Sequence, residues 1–199
     1  MAKLVVVLTG GIASGKTQIS NKLAKLGCDI IDADLVARDV VMKGSSGWQA
    51  ICERFGVAVL HGNGEINRRT LRELVFNDDN ALADLNAITH PRITSSIKSA
   101  IEQSERNMVV VVIPLLTEHN RHAYFDRVLV VDVSHETQHR RLQQRDQISD
   151  QLIGKMLASQ ISRKQRLKLA NDVISNQGTL QALNESVELM HGFYVSLTA

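Results

Sequence analysis

Leu4-Val5-Val6-Val7-Leu8-Thr9-Gly10-Gly11-Ile12-Ala13-Ser14-Gly15-Lys16-Thr17 is the stretch whose reading decides the fold. An apolar, β-branched run ends at Thr9, and the eight residues from Gly10 fit G-x-x-x-x-G-K-[ST], the phosphate-binding loop that joins a strand to a helix. Glycines let the backbone wrap an anion with successive N–H groups turned inward, and the helix that follows adds the positive end of its dipole. Lys16 is placed to reach the β- and γ-phosphates of a nucleoside triphosphate, and the Thr17 hydroxyl to ligate Mg²⁺. A chance match in a Gly-rich turn lacks the flanking context. Here a strand precedes the loop, and Ile19, Leu23 and Leu26 follow it at i, i+4, i+7, as one face of a helix requires.

Outward from that loop, the composition is that of an ordinary globular chain. The 199 residues are 44% hydrophobic and 22% charged, enough for one core domain with inserted subdomains. A net charge of +2 is too small to argue for nucleic acid or a membrane surface. Cys28 and Cys52 form no disulfide framework, no C-x-x-C and no metal-ligand spacing, so a reducing compartment is expected. The first apolar run is too short for a signal peptide, and no apolar segment approaches the ~20 residues of a membrane span. The expectation is a cytoplasmic protein, with small-molecule substrates rather than nucleic acid or membrane as partners, and a monomer or weak homo-oligomer.

Along the chain, Gly27 closes the first helix, and Cys28 to Ile31 reads as a second strand running into Asp32-Ala33-Asp34. An Asp at a strand-to-helix junction caps the helix in most cases. In an open parallel sheet, however, ligands bind beyond the carboxyl ends of the strands, where a carboxylate can take a proton from a hydroxyl attacking the γ-phosphate. Trp48, Ile51, Cys52 and Phe55 form a core helix face, His61 to Gly64 a tight turn, and Asn67 the cap of a helix over 68–76. A long helix from Asn80 is expected to kink or restart at His90-Pro91. Met108 to Ile113 and Arg127 to Val133 read as strands buried on both faces, and Asp172-Val173-Ile174 as a short final strand. The last helix should bury Leu180, Leu183, Val187, Met190 and Tyr194. The fold class is α/β: a P-loop nucleotide-kinase fold, with a doubly wound parallel sheet, a helical acceptor-binding insertion and an Arg-rich lid.

His135-Glu136-Thr137-Gln138-His139 spells the zinc-peptidase pattern H-E-x-x-H. Three features oppose that reading. Ser134 looks like the helix cap and puts His135 in the first turn; no Glu, Asp or His lies between Asp150 and Asp172; and the longer metzincin pattern fails at Leu142 and Arg145. An exposed helix start, with Glu136 favoured by the dipole, is the simpler reading. His119 and His122, at i, i+3, form no convincing metal pair.

Phosphoryl transfer needs charge neutralisation, positioning and a base. Arg140, Arg141 and Arg145, with Arg163 and Arg166 beyond them, suit a lid that closes over the transferring group and excludes water. Chain length and the second carboxylate favour a small-molecule kinase over a nucleotide switch.

As a set the residues resemble the dephospho-coenzyme A kinase family along essentially the whole chain. The resemblance rests on the phosphate loop, Ile31-Asp32-Ala33-Asp34 with Ala37-Arg38, Arg69-x-Leu71-Arg72 with Val75-Phe76, and His90-Pro91. It continues in Pro114-Leu115-Leu116-x-Glu118, Val130-Val131-Asp132, Gln144-Arg145-Asp146, Gln160, Arg163 and Asn171 to Gly178. It implies transfer of the ATP γ-phosphate to the ribose 3′-hydroxyl of dephospho-CoA, with ATP and Mg²⁺ as cofactors. It further implies Asp34 as catalytic base, with Lys16, Arg145 and Arg141 as the other catalytic groups. Gly11, Ile12, Ala13, Ser14, Gly15, Lys16, Thr17, Asn176 and Gly178 would bind ATP. Thr9, Asp34, Arg38, His90, Leu115 and Leu116 would bind the acceptor, and Thr17 and Asp32 would hold Mg²⁺ directly or through water. The implied domains are a core (1–42, 104–135 and 166–199), an acceptor domain (43–103) and a lid (136–165). A nucleoside monophosphate or other small-metabolite kinase is the alternative within the same chemistry. Two departures stand out: many relatives carry Gly where this chain has Ala13, and many carry an acidic residue where it has Val112.

Overall fold

The structure, a computed structural model, describes residues 3–117 and 122–198. Glu118 and His119 lie outside the described residues. Two compact units emerge, one built from the chain up to Ile31 and from Ser104 onward, the other from Asp32–Gln103.

The first unit is organised by a five-stranded sheet in the order β2-β3-β1-β4-β5. Its strands are β1 (Leu4–Gly10), β2 (Asp29–Asp32), β3 (Met108–Val112), β4 (Arg127–Asp132) and β5 (Asp172–Ser175). β1 is central and parallel to both neighbours, with Leu4 opposite Met108 and Val6 opposite Arg127. The continuous apolar runs follow from this: both faces of the middle strands are covered, so both sets of alternating side chains are buried. Leu4, Val6 and Leu8 pack with Val110 and Leu129 against helices α1 (Lys16–Lys25) and α9 (Leu180–Ser196), through Ile19, Leu23, Leu183, Val187 and Tyr194. Val5, Val7, Val109, Val111, Val128 and Val130 face the other way and are buried as well. Each such side chain contributes on the order of 1.5–3 kcal/mol of hydrophobic stabilisation. Contrary to the sequence expectation, Leu180 is 59% exposed, because the first turn of α9 precedes its buried stripe.

Three further helices follow β4: α6 (His135–Asp146), α7 (Asp150–Ala158) and α8 (Arg163–Lys168). Ser134, Ser149 and Ser162 cap them through their hydroxyls, so the Arg-rich region consists of well-started helices. Leu142, Ile153 and Leu157 give it a small core of its own.

The helical unit contains α2 (Ala33–Asp39), α3 (Ser46–Phe55), α4 (Arg68–Phe76) and α5 (Asp79–Gln103). Its core is Ile51, Val59, Leu71, Val75 and Ala81. The compact helical unit begins at Asp32 rather than at residue 43, with α2 packed on α5. Of the two outcomes expected at Pro91 a restart does not occur: α5 runs unbroken through it, with the Arg92 guanidinium donating to the Ile88 carbonyl at 2.6 Å. Trp48 is half-buried rather than central to the core, with its indole N–H donating to the Gly64 carbonyl at 2.9 Å.

At the amino ends of β4 and β5, Arg127 donates two hydrogen bonds to Asp172, at 2.7 and 2.8 Å, and the Tyr194 hydroxyl donates a third at 2.8 Å. The arginine bonds hold the Asp172 carboxyl below its ordinary value, and burial pushes the Tyr194 phenol up. A lowered carboxyl contributes stability above its unfolded value and loses it as pH falls through the folded one. Asp172→Asn is therefore expected to cost about 2 kcal/mol in urea denaturation at neutral pH. That difference should shrink below about pH 4.

Candidate active site

Among the described residues, α1 is the α-helix whose first turn has no side-chain cap. Ser, Thr, Asn or Asp oxygens serve the other eight, including Asp32 on α2, Asn67 on α4 and Asp78 ahead of α5. No acidic residue stands in the first turn of α1 either. An uncapped positive helix end at the carboxyl edge of a central parallel strand is an anion site by construction.

The loop is held open by its neighbours. Gly15 sits at φ 92 with the Asn176 amide where a Cβ would point, so both conformation and space demand glycine. Asn176 Nδ2 donates to the Ser14 carbonyl at 2.8 Å, and Arg141 donates to the carbonyls of Ala13, Ser14 and Asn176 at 3.3, 3.4 and 2.8 Å. Lys16 Nζ donates to the carbonyls of Gly10 and Gly11 at 2.8 and 3.1 Å, bent back over the loop. The Ser14 hydroxyl is buried and has no hydrogen-bond partner among the described residues. A buried donor without an acceptor is costly unless a ligand oxygen completes it.

A cavity of about 870 Å³ opens over this loop, lined by Ile12 to Gln18, Pro114, Leu115, Arg141, Gln144, Arg145 and Gln160. It therefore gathers Ile12 to Thr17, Leu115, Arg141 and Arg145 from the sequence-based set. Gly11 does not line it; nor do Thr9, buried inside β1, and Leu116, 1% exposed. Asp32, Asp34, Arg38 and His90 belong to the helical unit. Asp32 Oδ1 accepts from the N–H groups of Asp34 and Leu35 at 2.8 and 3.4 Å, as a helix cap. The Asp34 side chain is exposed and forms no hydrogen bond or ion pair with another described residue. Thr17 at the cavity offers the single hydroxyl that Mg²⁺ commonly takes beside phosphate oxygens and water. Among the described residues, no group of three His, Cys, Asp or Glu could hold a metal.

Several of the arginines of the expected lid are held by partners among the described residues. Arg163 forms a two-pronged pair with Asp132 at 2.7 and 2.6 Å. Arg166 is 8% exposed, with its guanidinium donating to the Ile161 carbonyl and burial pushing it below its ordinary value. Arg141 is likewise lowered, by burial first and by Arg140 second, and grips the loop backbone. Arg145, exposed and paired with Asp146 at 2.8 Å, is the one of these four whose partner is a neighbouring surface carboxylate. Asn176 supports the loop rather than presenting its amide to a base, and Gly178 lies in the turn leading to α9, away from the cavity lining. His139 sits 3.4 Å from Asp150. Gln138, between the two histidines of the H-E-x-x-H letters, bonds the phosphate loop itself, donating to the Ile12 carbonyl at 2.7 Å. No sequence signal pointed to it.

Residues 4–182 match the family described as dephospho-CoA kinase. The chain belongs to the dephospho-CoA kinase family. It is 42% identical to the Vibrio cholerae dephospho-CoA kinase over 195 residues, covering 98% of this chain and 96% of that protein. Against the Escherichia coli dephospho-CoA kinase it is 40% identical over 197 residues, covering 99% and 96%. The solved dephospho-CoA kinase from Campylobacter jejuni superposes with a TM-score of 0.72 at 26% identity, covering 96% of this chain and 98% of that one. Lys16 is a cation lying against the phosphate loop, so Lys16→Ala is expected to weaken Mg·ATP binding roughly 10–100-fold in equilibrium titration, with the far-ultraviolet circular dichroism unchanged.

Proposed function

We propose that the chain transfers the γ-phosphate of ATP to the ribose 3′-hydroxyl of dephospho-CoA, giving coenzyme A and ADP, the final step of CoA biosynthesis. The observation that carries this reading is its family membership along the full chain, phosphate loop and helical unit included. In the division of labour we favour, the uncapped start of α1, Ser14 and Lys16 receive the triphosphate. Thr17 and Asp32 would hold Mg²⁺ directly or through water, and the ion would supply neutralisation of phosphate charge. Asp34 takes the proton from the 3′-hydroxyl. The ribose oxygen then bonds to the γ-phosphorus, the bond to the β–γ bridging oxygen breaks, and ADP leaves. The choice of Asp34 over Asp32 is supported by the capping role of Asp32, which occupies one of its oxygens, and by the unengaged carboxylate of Asp34.

Arg145 is the arginine we assign to the transferring phosphoryl group, since release from Asp146 on the surface costs little. Arg141 contributes by keeping the loop in shape. The helical unit receives the acceptor, with Arg38 and His90 as its candidate contacts; Leu115, at the cavity over the phosphate loop, is a further candidate. It has its own cavity of about 340 Å³, with apolar walls including Leu71, Val75 and Leu85, and with Arg68 and Arg72 at the same site. Neither arginine has an ion-pair partner among the described residues, which suits a ligand with an apolar arm and a diphosphate. Among the described residues no helix is long and apolar enough to cross a membrane. A cytoplasmic enzyme, monomeric or weakly self-associating, is the setting we propose.

The test is ADP release from Mg·ATP with and without dephospho-CoA, with adenylate as control acceptor and the product identified by mass. Release that depends on dephospho-CoA, with a product heavier by one phosphoryl group, is expected; release indifferent to acceptor would leave only nucleotide binding. Asp34→Asn is expected to lower kcat about 10²–10⁴-fold while preserving Mg·ATP affinity, as loss of a general base does. Near-native turnover in that variant would transfer the role to Asp32.

A further inference from the structure

Ala13 stands at φ 56, in the left-handed region that a Cβ disfavours. A non-glycine residue stays there only when its surroundings over-determine the backbone. The peptide groups on either side of it, and the one before them, are gripped from outside the loop. The Ile12 N–H donates to Gln160 Oε1 at 3.0 Å, the Ile12 carbonyl accepts from Gln138 Nε2 at 2.7 Å, and the Ala13 carbonyl accepts from Arg141 at 3.3 Å. Gln138 is 5% exposed on α6, and its amide lies where a Cβ on Gly11 would sit. Gln160 stands between α7 and α8, half-buried. Neither glutamine is engaged in any other side-chain hydrogen bond among the described residues.

We propose that Gln138 and Gln160 are positioning residues for the triphosphate. They hold the two peptide groups that flank the Ile12 Cα, keep Ala13 left-handed, and so preserve the anion-accepting form of the loop in a chain that lacks glycine at that position. Gln160 at the same time ties the loop to the segment joining α7 and α8. Without the grip, Ala13 relaxes toward negative φ, the competent loop becomes a minor state, and apparent affinity falls by the fraction lost. With glycine at that position the left-handed form costs almost nothing, and the grip becomes dispensable.

That difference is what a double-substitution cycle reads, by equilibrium titration of the full chain with Mg·ATP and no acceptor, so the outcome does not depend on the identity of the acceptor. Gln138→Ala is expected to raise the Kd about tenfold in the parent chain, the scale of one lost hydrogen bond to a strained loop. In an Ala13→Gly background the same substitution should raise it less than about threefold. Equal losses in both backgrounds, or no loss in the parent, would overturn the proposal, because a general packing role for Gln138 does not depend on the residue at position 13. Should Gln138→Ala fail to fold, Gln160→Ala removes the other half of the grip from a half-buried site. The same cycle then decides, with the same two outcomes.

Discussion

The amino end of α1 is a set of backbone N–H groups that no side chain among the described residues caps, and much of the sheet unit serves to keep it that way. Its position follows from β1, whose burial on both faces fixes where the chain emerges at the carboxyl edge. Its emptiness follows from what surrounds it: Gly15 gives no side chain, Asn176 takes the Ser14 carbonyl, and Lys16 folds onto the carbonyls of Gly10 and Gly11. Each of these contacts satisfies a loop acceptor and leaves the donors turned toward the cavity. A capping Ser or Asp is excluded from position 15, because its Cβ would meet the Asn176 amide and the left-handed backbone there disfavours any side chain.

The arginines divide by partner. Those bonded to buried or backbone acceptors, Arg141, Arg163 and Arg166, are structural supports around the loop and the end of β4. Arg145, bonded to an exposed carboxylate, can exchange that partner for a phosphate at small cost. Arginine density in the sequence cannot separate the two groups, because the distinction lies in which acceptor each guanidinium meets after folding. The same holds for the two aspartates after β2. Both stand at a strand-to-helix junction, and only the helix geometry shows that Asp32 caps while Asp34 does not.

What could be read in advance was local. The phosphate loop, the buried strands, the Ser134 and Asn67 caps and the misleading H-E-x-x-H run all depend on residues within a few positions of one another, and local chemistry decides them. The differences have a common origin in packing. Pro91 remains inside α5, Leu180 is exposed at the first turn of α9, and α2 joins the helical unit through α5; each depends on a surface that the local pattern does not carry. Gln138 is the sharpest case. It sits among letters that spell a metal motif, yet its amide bonds Ile12, 126 positions away in the chain.

The sequence by itself determined that a strand, a glycine-rich turn and a helix would build a phosphate site, since those residue types admit few other backbones. It also determined the family, because the motifs recur in order along the chain. The tertiary structure alone decided how the loop is supported and how the charged side chains are employed. Hydrogen bonds such as Gln138 to Ile12, Arg141 to Ala13 and Asn176 to Ser14 join segments distant in sequence, and their geometry exists only once the sheet has brought those segments together.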